Sequence, residues 1–366
     1  MSHQSGPKLL YINNLRIVLI TLIVMLHIAI TYGAEGDWYY YEHTGDVVSV
    51  VLLTLFTAVV QSFVLGFFFM ISGYFTPGSY ARKGARTYLK DRFIRLGIPL
   101  VVYFFIVNPL MVYTLYVRSM GYSVPLLDFF GSGPLWFLET LLIFCFGYHL
   151  WRGYNPEKES GIKQPPHSKE ILVFVLLLAS AHFIVRIWWP IGESFSNLQF
   201  GFFPGYISLF TIGIRAYNNN WFDQFNGAVG MRWLKCSVPA IFLFPVIGVL
   251  GGALEDITPF LGGVHWQSFA YALWEAFVGT GLIVGLFVLF RRKFDSQTRF
   301  TQNLSDNAYT VFIIHAPVIV FLSYALRGLY LYPVLKFALV SVSGVSLCFL
   351  TSHFVIRRIP YSGKVL

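Results

Sequence analysis

Charge is scarce in this chain. Of 366 residues, 12% are charged, about half the share of a soluble domain. That excludes a water-facing surface over most of its length. Cysteine is nearly absent: Cys145, Cys236 and Cys348 stand singly in or beside apolar runs. Their placement excludes a metal-ligand spacing and a disulfide framework. There is no P-loop, CxxC pair, HExxH, internal repeat or low-complexity tail, so neither a resident metal nor a permanently bound cofactor is expected. Acids number 17 against 26 lysines and arginines, a formal charge of +9. In so apolar a chain that excess is a topogenic signal, and no nucleic-acid partner is expected.

What is present is hydrophobic: 56% of the residues, with a mean hydropathy of +0.64. The apolar residues come in long blocks, the pattern of an all-α, polytopic membrane protein. About ten spans are expected, near 9–32, 47–75, 97–117, 134–151, 171–189, 202–216, 237–254, 267–290, 307–326 and 333–356. They form one transmembrane domain over residues 1–366. The first block is too long and too polar for a cleaved signal segment.

Orientation follows from lysine and arginine. With the N-terminus inside, 21 of the 26 fall on inner segments, from Lys8 through Lys158 to Lys364. Arg118, Arg186, Arg327 and Lys336 fall outside, and Arg16 lies within the first span. So lopsided a split places both termini in the cytoplasm. The expected location is the cytoplasmic (inner) membrane, multi-pass.

The first block, LLYINNLRIVLITLIVMLHIAITY, carries Arg16 and His27. Eleven residues of helix rise roughly 16 Å over about three turns, so both lie on one face. Lipid solvates neither, which makes the stripe a functional candidate. In the outer loop that follows, Trp38 to Tyr41 suit a membrane interface or a platform that stacks on sugar rings. Ser72 and Gly73 in FFFMISGYF suit close helix packing, a nucleophilic serine being less favoured. The stretch RKGARTYLKDRFIRLGIP reads as a cytoplasmic loop. In it Arg92 and Arg95, three apart, suit anionic lipid or a polyphosphate.

Trp136 and Glu139 open the fourth span. Glu139 matches the depth of His27, and pairing would compensate the burial of both. Glu275 is a second intramembrane carboxylate, for the site or for Arg186. Arg186 otherwise snorkels to the interface. His315 lies near mid-membrane, where packing or a site role is open.

Five stretches, NNLRIVLITLIVMLH, FFFMISGYF, RFIRLGIP, LWFLETLL and AYTVFIIHAPV, together resemble the acyltransferase 3 family of integral membrane acyltransferases. The first carries that family's arginine, ten residues, histidine pattern. The resemblance spans nearly the whole chain and includes the helix count. With no soluble esterase-like domain, the chain is similar to stand-alone, glucan-modifying members that attach succinyl groups. One departure is Asn13-Asn14, where many members have aspartate first, so another group must position Arg16.

The resemblance implies an enzyme of the acyltransferase class that handles groups other than aminoacyl. It would move an acyl group, acetyl or succinyl, from a cytoplasmic acyl-CoA to a hydroxyl of an extracytoplasmic carbohydrate. Acyl-CoA, the glycan acceptor and membrane lipid are the expected partners. His27 is the expected general base, oriented by Glu139 or Glu275, with His315 a further catalytic candidate. Arg16, Arg92, Arg95 and Ser72 would serve the donor, and Trp38, Tyr39 and Trp136 the acceptor. A proton-coupled transporter or lipid-linked sugar flippase would use the same intramembrane polar residues, but no inverted repeat supports it. A purely structural membrane partner is a third class.

Overall fold

The computed structural model describes residues 9–155, 163–360 and 362–365. Lys8, Lys158 and the Lys364 side chain lie outside the described residues. Among the described residues there is no β-strand. Ten principal helices run in chain order: α1 Leu10–Thr31, α2 Val47–Lys83, α3 Ala85–Ser119, α4 Trp136–Tyr154, α5 Ser168–Trp188, α6 Phe203–Asn218, α7 Gly227–Leu250, α8 Trp266–Lys293, α9 Arg299–Ala325 and α10 Pro333–Phe354. Nine are long and apolar enough to cross a membrane. The exception is α6, whose 16 residues span about 24 Å against a hydrocarbon core of about 30 Å. The chain is an all-α polytopic membrane protein.

The basic stretch after the second span is not a loop. Helix α2 continues to Lys83, Gly84 turns the chain at φ 74°, and α3 starts at Ala85. Arginine, lysine and leucine are good helix formers, and the lone glycine with positive φ is the break. Helix α3 is unusual in its winding. Phe93–Gly97, Tyr103–Val107 and Tyr113–Ser119 are π-helical turns, in which hydrogen bonds reach back five residues. Two of them directly precede the Ile98-Pro99 and Asn108-Pro109 pairs. Pro99 has no N–H to offer the carbonyl four residues earlier, that of Arg95. The Tyr309 hydroxyl of α9 donates to that carbonyl instead, tying α3 to α9.

Helix α1 is enclosed by α2, α8, α9 and α10, and Leu15, Leu19 and Val24 are fully buried. In lipid such packing gains van der Waals contact rather than escape from water, so close approach matters most. Gly73 of α2 and Gly213 of α6 supply it. A methyl group at Gly73 would overlap the Phe210 carbonyl oxygen, and one at Gly213 would overlap that of Met70. The small pair in FFFMISGYF therefore brings the short helix α6 against α2.

Candidate active site

His27 lies one turn before the end of α1. The chain then folds back over it: the Glu42 amide donates to the Thr31 carbonyl at 2.7 Å, and the Trp38 indole stacks on the His27 imidazole. The ring centroids are 3.8 Å apart and the planes 16° apart. From α9, the His315 ring comes within 5.3 Å of His27 at 20°. His315 Nδ1 lies 2.6 Å from the Phe312 carbonyl oxygen. A carbonyl only accepts, so Nδ1 carries the hydrogen and, in the neutral ring, Nε2 carries the lone pair. His315 is fully buried. His315 Nε2, His27 Nδ1 and Trp38 Nε1 are all buried without hydrogen-bond partners among the described residues.

A cavity of about 1170 Å³ opens beside these rings, with His27, Trp38, Tyr39, Asn108 and Trp136 in its wall. The loops lining it all lie at the end of the molecule where α1 finishes. Glu35, Asp37 and Asp128 also line it, and among its described lining residues there is no lysine or arginine.

The loop that carries Trp38 is held by several partners. The Tyr39 hydroxyl donates to Asn108 Oδ1 at 2.5 Å and lies 3.4 Å from the Tyr103 hydroxyl. The Tyr116 hydroxyl donates to the Tyr39 carbonyl. Glu42 pairs with Lys336 at 2.5 Å, and the Tyr332 hydroxyl donates to Asp46 at 2.6 Å. Burial raises the Tyr39 hydroxyl pKa and pushes that of Tyr41 up to about 12, so both stay donors at neutral pH.

Of the two carboxylates, Glu139 does not take the place expected of it, and Glu275 takes the second of its two, beside Arg186. Glu139 is half-buried, is absent from the cavity wall, and makes no hydrogen bond or ion pair among the described residues. Helix α4 packs chiefly against α3 and not α1, so a similar place along the span did not make Glu139 and His27 neighbours. Glu275 lies deep between α8 and α5: its Oε2 is 2.6 Å from Arg186 Nη2 and 3.1 Å from His182 Nδ1. Neither carboxylate hydrogen-bonds His27. Arg186 does not snorkel either. It is fully buried, and its Nε also donates to the Gly201 carbonyl at 3.1 Å.

On the donor side the structure brings less together. Arg16 is half-buried, makes no hydrogen bond or ring contact among the described residues, and is absent from the cavity wall. Arg92 lies 5.1 Å from the Tyr88 ring, while Arg95, in the first π-turn, is exposed. Ser72 is half-buried, and its carbonyl accepts from Thr76 at 2.8 Å. Asn14, at the departure from the family pattern, does not bind Arg16. Its Nδ2 donates to the Phe294 and Ser296 carbonyls at 2.7 and 2.8 Å, fixing the start of α1 to the α8–α9 connection.

Sequence reasoning missed Asn108 and Lys336. Asn108 had a signal, an amide in mid-span. Lys336 had none beyond an outer-side charge; it is 3% exposed because Glu42 meets it. All three cysteines are free. Among the described residues, no three His, Cys, Asp or Glu side chains form a metal-binding group.

An acyltransferase-domain family model matches residues 9–353. The chain is similar to curated proteins named glucans biosynthesis protein C. That of Salmonella heidelberg (strain SL476) is 23% identical over 403 residues, covering 100% of this chain and 97% of the relative. Those of Salmonella gallinarum and Salmonella typhimurium (strain LT2) are also 23% identical, over 398 and 403 residues, with the same coverage. No solved structure matches. With the family's arginine–histidine stripe enclosed at the heart of a ten-helix bundle and the match running almost end to end, the chain belongs to the acyltransferase 3 family and is a multi-pass membrane acyltransferase.

Proposed function

We propose that the protein moves an acyl group from a cytoplasmic acyl-CoA to a hydroxyl of an extracytoplasmic carbohydrate, in the cytoplasmic membrane with both termini inside. The observation that carries this reading is His27. It stands at the wall of a cavity entered from the end of α1, with Arg16 on the same helix roughly 16 Å deeper. That separation is comparable to the reach of a pantetheine arm, so one helix would hold the phosphate end and meet the thioester end of a donor. Arg92 and Arg95 would add charge for the phosphates from α3.

The cavity exceeds the usual volume of a small-ligand pocket, which suits an oligosaccharide segment. Trp38, Tyr39 and Trp136 offer aromatic faces, and the relatives' name supports a glucan-like acceptor. His27 takes the proton of the acceptor hydroxyl as its oxygen attacks the thioester carbonyl. No carboxylate orients His27. The complementary partner is His315, whose lone pair on Nε2 faces the need of a hydrogen on His27 Nδ1. With the two rings 5.3 Å apart, His315 would serve as the positioning residue.

Of acetyl and succinyl, the uncharged acetyl fits better. A succinyl carboxylate would leave water beside Glu35, Asp37 and Asp128 with no lysine or arginine in the wall, and unpaired burial of charge is costly. The test is purified protein in liposomes with labelled acetyl-CoA or succinyl-CoA and a gluco-oligosaccharide. Label should appear on the sugar with wild type and disappear with His27→Ala.

The buried Arg186, Glu275 and His182 favour a second reading, proton-coupled transport or lipid-linked sugar flipping. Gradient-driven uptake, with the acceptor unlabelled in wild type and His27→Ala alike, would establish transport and sink the enzyme mechanism.

A further inference from the structure

Acyl transfer needs a hydrogen-bond donor where negative charge develops on the carbonyl oxygen, and the sequence offers no candidate. The structure does. Trp38 is 8% exposed and lines the cavity, and its Nε1–H has no partner. An indole N–H can only donate, and a buried donor left unpaired is a cost that needs a reason. Its ring lies flat on that of the proposed base, 3.8 Å away.

We propose that Trp38 Nε1–H is the oxyanion donor of the transfer, an inference that rests on the acyltransfer reading above. A hydroxyl oxygen held by His27 lies in the imidazole plane. A carbonyl oxygen held by Nε1–H lies in the indole plane. With the ring centroids 3.8 Å apart, the two oxygens would lie in adjacent layers, which lets the acceptor oxygen approach the carbonyl carbon to the roughly 3–3.5 Å of a near-attack arrangement.

The step balances as follows. The acceptor oxygen forms a bond to the thioester carbon while its proton passes to His27. The carbonyl π pair moves onto oxygen and is held by Trp38 Nε1–H. The pair then re-forms the carbonyl, the C–S bond breaks, and the CoA sulfur leaves with the proton from His27. The products are the sugar ester and CoA thiol. In this role Trp38 serves the donor's carbonyl, where the sequence suggested a face for the sugar.

The Trp38→Phe variant keeps an aromatic ring for stacking and removes the donor. In liposomes with acetyl-CoA and a gluco-oligosaccharide, kcat should fall about 10²–10³-fold with the acceptor KM within twofold. The slow release of CoA by water, measured without any sugar, should fall in parallel. A variant that keeps kcat within threefold, or only raises the acceptor KM while CoA release persists, overturns the proposal and leaves Trp38 a sugar platform. If Trp38→Phe does not fold, a tryptophan analogue with sulfur in place of the indole N–H, placed at position 38, must give the same loss. Wild type that neither transfers nor releases CoA, indistinguishable from His27→Ala, overturns the underlying reading instead.

Discussion

Two of the buried polar groups in the bundle are built on opposite plans. Around Glu275 the charges cancel: Arg186 Nη2 meets the carboxylate at 2.6 Å, His182 Nδ1 stands at 3.1 Å and Arg186 Nε donates to the Gly201 carbonyl, with Arg186 Nη1 and His182 Nε2 left unpaired among the described residues. Around His27 no charge is answered and three nitrogens wait without partners, on His27, Trp38 and His315. A buried ion pair of good geometry is a closed structure. A set of unmet donors and acceptors beside a cavity is a place for something that arrives. The contrast separates a group that holds α5 to α8 from one poised for chemistry.

The largest effect that would break the contrast is at the open group. His27→Ala should cost about 10²–10⁴-fold in transfer with the melting temperature in detergent unchanged. Unaltered transfer would remove the general base. At the closed group the effect should be on folding. Glu275→Gln leaves Arg186 buried and unpaired, a loss of about 3–5 kcal/mol, read as a lowered melting temperature with activity per folded molecule retained. Joint replacement, Arg186→Met with Glu275→Leu, should recover most of that stability. Loss of activity in a well-folded double variant would make the two groups one site.

A smaller effect sharpens the role of His315. His315→Phe removes the lone pair offered to His27, and a hydrogen bond to a charged group is worth about 1.5–3 kcal/mol. The expected loss is about 10–100-fold in kcat with KM unchanged and an altered pH–rate profile. A pure packing role would leave that profile in place. The smallest effect concerns charge at the mouth. Glu35→Gln with Asp37→Asn should raise the use of succinyl-CoA relative to acetyl-CoA a few-fold, since about 1 kcal/mol per charge is the contact value in water and the effect is smaller across an open cavity mouth. An unchanged ratio would mean that the acidic rim does not select the acyl group.

Much of this was legible because membrane burial makes polar residues conspicuous. Arg16, His27, Glu275 and His315 announce themselves in apolar runs, and nine of the ten expected spans meet the length of a crossing helix. What the sequence withheld was which helices are neighbours. Glu139 sits on α4, which packs chiefly against α3 and not against α1, whereas Trp38 reaches His27 only because its loop doubles back. Glu275 stands open in the sequence between the site and Arg186, 89 positions away, because hydropathy names candidates for a pair without choosing between them. The basic stretch before Pro99 misled for a different reason. Charge was read as loop, although its residues are helix formers interrupted only at Gly84.

The winding of α3 has an evolutionary consequence. A π-turn holds one residue more than the α-helix it replaces, so losing one residue there restores ordinary winding and leaves both flanks facing as before. A deletion elsewhere in the helix would swing everything beyond it by about 100° and carry Arg92 and Arg95 away from the side where Asn108 meets Tyr39. The three widened turns are thus the positions at which descendants of this chain can change length by one residue without losing the alignment between the two ends of the helix.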